Sequence, residues 1–355
     1  MHSGTTLLLN VIRRNSAVFT TGRETKFFDR LTMIRQAYPD LSDDRVLEDF
    51  TRFVLHIVNS GYRLGRDPTP PGSAPILLSA DQFEELLSDV ARSRQYADTF
   101  SIVQDHLARM AGRSHWLEKT PGHVFHIDRI ARAIPDSRFV VAVRDPRDIL
   151  ASKKVRRAAI WSDKYREEER AYKSLIKSYD PVWDALSWKA AARAGLAAQQ
   201  AHPDRVMTIR YEDLVAEPAI VVERLCDFLR LEFEPAMLEI SSRNLAGERL
   251  RQSPSSHNGI SNDSVQRWRK ALVLEEVALC QWLVRTDMER LGYARVPVAG
   301  RHKLATAPLV ARSGLEFMRR PYRRFLVGGT AYLKSVLGNY VGRFLRLMPR
   351  RTRRS

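Results

Sequence analysis

The chain has 355 residues, 44% of them hydrophobic, which is enough for one large α/β domain with an appendage or for two ordinary domains, and excludes an intrinsically disordered chain. Its two cysteines, Cys226 and Cys280, allow no disulfide framework beyond a single bridge, so a reducing, cytoplasmic setting is expected. The net charge of +17 is local: residues 296–355 hold fourteen Lys/Arg against Glu316 alone, a segment charge of +13, so the body of the chain gives no reason to expect specific nucleic-acid binding.

The first residues, MHSGTTLLLN, carry no basic region followed by a long apolar stretch, so no secretory signal is read there. A short helix is predicted over residues 7–14, and Gly22-Arg23-Glu24-Thr25 marks a charged turn after it. Helical patterns cover residues 44–59 and 80–110, separated by the Pro/Gly-rich residues 66–72, which cannot continue a helix. Residues 137–143 (SRFVVAV) form a short β-branched apolar run suited to a parallel strand covered on both faces, and residues 205–209 form a second. Each is followed by a turn and a helical pattern, as in a parallel sheet with helices packed on it. Residues 252–263 (QSPSSHNGISND) read as a polar flexible loop leading into a helical region over 264–292.

Two short motifs carry the chemistry. Ser3-Gly4-Thr5-Thr6 precedes an apolar helix. Small residues at a helix start let backbone N–H groups approach an anion, and three hydroxyls add donors. There is no lysine before Lys26, so the GxxxxGK[ST] loop of nucleoside-triphosphate enzymes is absent and a kinase reading is weakened. On its own, SGTT suits a simple capped helix start better than a phosphate site.

The second motif is Arg144-Asp145-Pro146-Arg147-Asp148, at the carboxyl end of the buried run, where open α/β sheets bind ligands. Ser152 and Arg156 follow Arg144 by eight and twelve residues, so one anion can be held by all three. The competing reading makes Arg144 and Arg147 surface ion-pair partners of Asp145 and Asp148. His115, His123 and His126 are close in sequence but show no metal-ligand spacing with each other or with either cysteine, so no metal site is expected.

Together, SGTT opening a helix and RDPRD with a serine eight residues after its first arginine resemble the sulfotransferases that use 3'-phosphoadenosine 5'-phosphosulfate (PAPS). Trp116-Leu117-Glu118-Lys119-Thr120-Pro121 is similar to that family's WxEKTP element. Tyr211-Glu212-Asp213-Leu214 is similar to its YEDL, and residues 264–270 (SVQRWRK) to its closing cofactor loop. The resemblance spans roughly residues 2 to 270, with the motifs in the family's order.

It implies a three-layer, P-loop-like α/β fold with a central parallel sheet, and PAPS as donor with no metal. Ser3, Gly4, Thr5, Thr6 and Leu7 would bind the 5'-phosphosulfate, and Arg144, Ser152 and Arg156 the 3'-phosphate. Tyr211, Arg267 and part of residues 253–261 would line the remainder. By the same resemblance Lys119 is the group that neutralises the bridging oxygen. Glu24 resembles the glutamate of tyrosylprotein sulfotransferases and is the candidate base, against a reading in which it is merely salt-bridged to Arg23 or Lys26.

Two departures from the family pattern are visible. The phosphate loop begins at residue 2, so the strand that should deliver it is missing from the sequence, and Met1 reads as an internal methionine. His2 stands where many relatives have an arginine.

The expected organisation is a sulfotransferase domain over residues 1–295 and a basic helical tail over 296–355, whose mixture of Arg/Lys with aromatic and aliphatic residues suits an anionic membrane surface. The expected acceptor is a hydroxyl or amine, with a glycan preferred. A catalytically silent PAPS-binding protein docked by its tail, or a nucleotide-dependent kinase, are the alternatives.

Overall fold

The structure, a computed structural model, describes residues 3–61, 78–158, 179–240 and 260–316. The chain opens with helix α1 (Thr5–Ile12), followed by the short strand β1 (Val18–Phe19) and by helices α2 (Phe27–Ala37), α3 (Asp44–Ser60), α4 (Ala80–Ala91) and α5 (Tyr96–Met110). Asp43 caps α3 by accepting from Arg45 N and Val46 N, and the apolar residues Leu47, Phe50, Val54, Ile57 and Val58 recur on the face this helix buries. Phe27, Phe50 and Phe100 are completely enclosed at the centre of this helical layer. The continuous helical pattern expected over 80–110 is in fact two helices. Arg94 takes a left-handed conformation (φ 54°) between them, and its guanidinium is tied to Leu41 O, Ser42 O and Asp44. The apolar periodicity runs through a turn held by distant contacts.

Strand β2 (His115–Trp116) pairs in parallel with β1. After the short helix α6 (Ile127–Ala133), strand β3 (Phe139–Val143) delivers the RDPRD turn, and helix α7 (Pro146–Ala158) begins directly after it. Helix α8 (Pro181–Ala201) leads to strand β4 (Val206–Arg210), which pairs in parallel with β3 from Phe139↔Val206 to Val143↔Arg210. Helices α9 (Tyr211–Ala216) and α10 (Pro218–Leu229) follow. The helical region expected over 264–292 resolves into a turn with Gln266 at φ 55°, a single helical turn α11 (Trp268–Ala271) and helix α12 (Leu274–Arg290).

The fold is therefore α/β with parallel pairing, and among the described residues the strands form two two-stranded sheets instead of one. Between the sheets runs a cavity of about 890 Å³, lined by His115, Trp116 and Leu117 on one side and by consecutive β3 residues Phe139–Val143 on the other, with Thr5, Leu8 and Ile12 of α1 beside them. β2 pairs only with β1, and β3 only with β4, among the described residues, so each presents an unpaired backbone edge to this cavity.

In the basic segment, helix α13 (Gly300–Leu304) and the helical residues 307–316 lie against the body. His302 Nδ1 meets Glu275 at 2.7 Å, and the buried Ser313 hydroxyl donates to Asp180 at 2.8 Å. Residues 317–355, His2 and most of the loop over 253–261 lie outside the described residues. No described helix is long and apolar enough to cross a membrane. Cys226 and Cys280 are buried and unbridged, and burial raises both thiol pKa values, that of Cys226 to about 11.

Candidate active site

The start of α1 supplies the first component. Gly4 occupies its N-cap position with φ 95°. An added Cβ there would lie 2.6 Å from the Tyr211 ring, so both the conformation and the approach of Tyr211 require glycine. Leu8 N donates to Gly4 O, which places the N–H groups of Thr5, Thr6 and Leu7 in the first turn, where a helix has no carbonyl partner of its own for them. Ser3 and Thr5 line the cavity mouth and Thr6 is exposed. Leu7 is different: its side chain is buried in the core, so only its backbone belongs to the phosphate loop.

The second component is the end of β3. Arg144 is buried and its guanidinium lies 4.3 Å from the centre of the Tyr211 ring, a cation–π contact that joins it to the Gly4 turn. It also donates to Ser264 O and lies 4.0 Å from Asp148. The two arginines of the motif thus have different fates. Arg147 is locked in a buried pair with Asp145 at 2.6 Å, over the Trp268 ring and beside Gln281, so it is a core element and not the surface ion-pair partner considered from sequence. Asp145 also caps α7 through Arg147 N. Asp148 accepts from Gln266 N and Trp268 N, which fixes the 264–268 turn over the site. Burial raises the Asp148 pKa, against the pull of those N–H groups and of Arg144.

Ser152 and Arg156 lie four and eight residues beyond Asp148, on the same stripe of α7; Ser152 is half-buried and Arg156 exposed. Arg267 is exposed within the turn that Asp148 holds. Glu212, next to Tyr211, accepts from Asp145 N and from the Tyr293 hydroxyl, both at 2.9 Å, and so binds the β4 turn to the β3 turn.

The third component joins Glu24 and Lys119. Lys119 Nζ donates to Glu24 Oε1 at 2.6 Å, so two residues separated by 95 positions form one ion pair, with Glu24 35% and Lys119 17% exposed. Arg23 and Lys26, the neighbours considered as partners for Glu24, are not its partner in this pair. Lys119 lines the same cavity as Ser3 and Thr5. Beneath the pair, Glu118 accepts from Thr25 and Thr120 and pairs with His123 at 3.0 Å, and His126 meets Asp29 at 3.3 Å. A Cβ on Gly122 would collide with the Asp29 carboxylate, so this close approach needs glycine. Sequence reasoning quoted Glu118 and His123 without giving either a role; the signal it lacked was the contact with Thr25, which only folding creates. Among the described residues no cluster of three metal-binding side chains occurs.

A helix start opened by glycine, with a buried arginine on one side and an ammonium group on the other, is suited to an anionic group undergoing transfer. Comparison with known proteins identifies the class. The sulfotransferase family matches residues 1–235, so the chain belongs to that family. Among curated relatives, nodulation protein NoeE of Sinorhizobium fredii is 26% identical over 63% of this chain and 54% of its own length. Carbohydrate sulfotransferase 3 of Tetronarce californica is 24% identical over 45% of this chain and 36% of its own length. Carbohydrate sulfotransferase 1 of Mus musculus is 27% identical over 51% and 45%. The chain thus spans about half or less of these relatives. The sulfotransferase domain of the curacin biosynthetic pathway covers 83% of this chain and 95% of its own, with 20% identity and a TM-score of 0.45.

Proposed function

We propose that the protein transfers the sulfuryl group of PAPS to a hydroxyl of a carbohydrate. The observation that carries the reading is the Glu24–Lys119 pair at 2.6 Å, whose Lys119 lines one cavity with Ser3 and Thr5 of the helix start. The donor supplies an activated sulfuryl group and several negative charges, and the residues present fit those charges. First-turn N–H groups and the hydroxyls of Ser3, Thr5 and Thr6 suit the 5'-phosphosulfate. Arg144, with Ser152 and Arg156 further along α7, suits the 3'-phosphate, and Tyr211 and Arg267 flank them.

Transfer of a sulfuryl group asks for charge neutralisation at the leaving phosphate and for a base at the acceptor hydroxyl. Lys119 is a charged donor beside the helix start and suits the first task. Glu24, the carboxylate in contact with it, suits the second by accepting the hydroxyl proton as the oxygen forms its bond to sulfur. The carbohydrate acceptor is supported by the names of two relatives.

The test is thermal unfolding with and without PAP, the desulfated donor, alongside ADP and ATP. A ligand that binds only the folded state raises its stability by RT ln(1 + [L]/Kd). A PAP-selective rise, together with PAPS-dependent labelling of an oligosaccharide, is expected. A rise with ATP and Mg²⁺ but not with PAP would sink the reading.

For the basic segment from residue 296, fourteen Lys/Arg interleaved with aromatic and aliphatic residues support contact with an anionic leaflet. Flotation with phosphatidylserine vesicles should be lost when the chain is cut at Val296; equal flotation of both forms refutes that contact.

A further inference from the structure

We infer that Glu118 is the positioning residue of this site: its buried carboxylate holds the turn bearing Glu24 against the segment bearing Lys119. The inference rests on the proposed roles of those two residues. Oε1 of Glu118 accepts from Thr25 N at 3.2 Å, from the Thr25 hydroxyl at 2.8 Å and from the Thr120 hydroxyl at 2.6 Å. Oε2 pairs with His123 Nδ1 at 3.0 Å. The Thr120 hydroxyl, having donated to Glu118, accepts from Lys26 N at 3.1 Å. The N–H groups of the two residues after Glu24 are thereby fixed, one by Glu118 directly and the other through Thr120. Glu118 itself directly precedes Lys119, so one carboxylate sets both ends of the Glu24–Lys119 contact.

The one other side-chain bond recorded to a backbone N–H of this turn's entry into α2, Phe27 N to the Thr25 hydroxyl, is long at 3.4 Å and comes from a hydroxyl that Glu118 itself holds. Lys26, the N-cap of α2, stands in a left-handed conformation (φ 51°) and caps nothing with its side chain. A carboxylate only 8% exposed is costly unless satisfied, and Glu118 meets that cost with three donors and a histidine. His123 is wedged by the edge of the Phe28 ring, whose centroid is 5.4 Å away, and so cannot swing from the pair without disturbing α2. Burial opposes both charges, yet the mutual attraction of the pair and the hydrogen bonds to Glu118 leave the carboxyl below its ordinary range and the imidazole above its own.

A displacement of about 1 Å in a catalytic group costs on the order of 100-fold in rate. Glu118→Ala is therefore expected to lower kcat about 10- to 100-fold while the affinity for PAP, whose binding groups lie on α1 and α7, stays within about twofold. Because Glu118 acts through its neighbours, the double variant Glu118→Ala/Glu24→Gln should be slower than Glu24→Gln alone by clearly less than the loss that Glu118→Ala causes in the wild type.

Amide hydrogen exchange gives a readout independent of activity: exchange at Thr25 and Lys26 should quicken about tenfold or more in Glu118→Ala, while exchange in residues 8–12 is unchanged. Glu118→Gln, which preserves shape, serves for the same measurements if the alanine variant does not fold. Unchanged exchange at Thr25 and Lys26, or independent multiplication of the two rate losses, overturns the assignment. A wild-type protein that transfers no sulfuryl group but shows the exchange change would remove the proposed function and leave the positioning of the turn intact.

Discussion

The two sides of the site are held by different means. On the side of Arg144, three carboxylates order the backbone: Asp145 caps α7, Asp148 holds the 264–268 turn, and Glu212 ties the β3 and β4 turns together. The cation is left against an aromatic face, with its carboxylate neighbour at the long distance of 4.0 Å. On the side of Glu24, one carboxylate, Glu118, gathers donors from two loops that are far apart in sequence, and the Glu24–Lys119 pair rides on top of it. Fixed strand-to-helix turns make a rigid frame around Arg144. A side-chain network joining two loops makes a contact whose geometry depends on charge, and the two regions should therefore fail in different ways.

The largest test of the contrast is Glu24→Gln. Turnover should fall by about two to four orders of magnitude, the range for loss of a general base, with PAP binding by calorimetry unchanged. Unchanged turnover would take Glu24 out of the chemistry and reduce that side of the site to a salt bridge. Arg144→Ala should produce the opposite pattern: PAP binding weaker by about 1.5–3 kcal/mol, as for a lost hydrogen bond to a charged group. Calorimetry giving wild-type affinity would merge Arg144 with Arg147 as a structural arginine.

The smallest effect expected is in pH dependence, and it belongs to the Glu24 side. His123 faces Glu118, Asp29 and Glu24, and its pKa lies above its ordinary 6.5, so its contribution to stability is complete below pH 6.5 and is lost as pH rises through the raised value. The pKa of Glu118 lies below its ordinary 4.5, so its contribution is complete above pH 4.5 and is lost as pH falls through the lowered value. The network is strongest between those limits. The difference in Tm between wild type and His123→Gln should shrink as pH is raised beyond 6.5; a constant difference would show that the pair is not charged.

The Arg144 side was the more legible in sequence, for a physical reason. Its residues are local to one strand and one helix, so a run such as FVVAV, the proline after Asp145 and the spacing to Ser152 specify the turn before any folding is known. The enclosure of Arg147 in the core was not legible, because Trp268 and Gln281, which enclose it, come from more than 120 residues away. On the other side, Glu24 and Lys119 were each nameable by resemblance, but their contact and the role of Glu118 depend on loops 93 to 95 residues apart. The break at Arg94 escaped notice for the same reason: apolar periodicity does not register a turn stabilised by carbonyls of another segment.

The inward-facing edges of β2 and β3 bear on how the protein behaves in a tube. Phe139–Val143 is uncharged, β-branched and aromatic, and the side of β3 not paired with β4 opens onto the cavity between the sheets and not onto bulk water. Such a segment is a template for adding strands from other copies once it is uncovered. What covers it includes α1, packed through Leu8 and Ile12. Undocking of that one helix is thus the step that uncovers the edge, and gentle warming of concentrated stocks should end in turbidity and not in reversible melting.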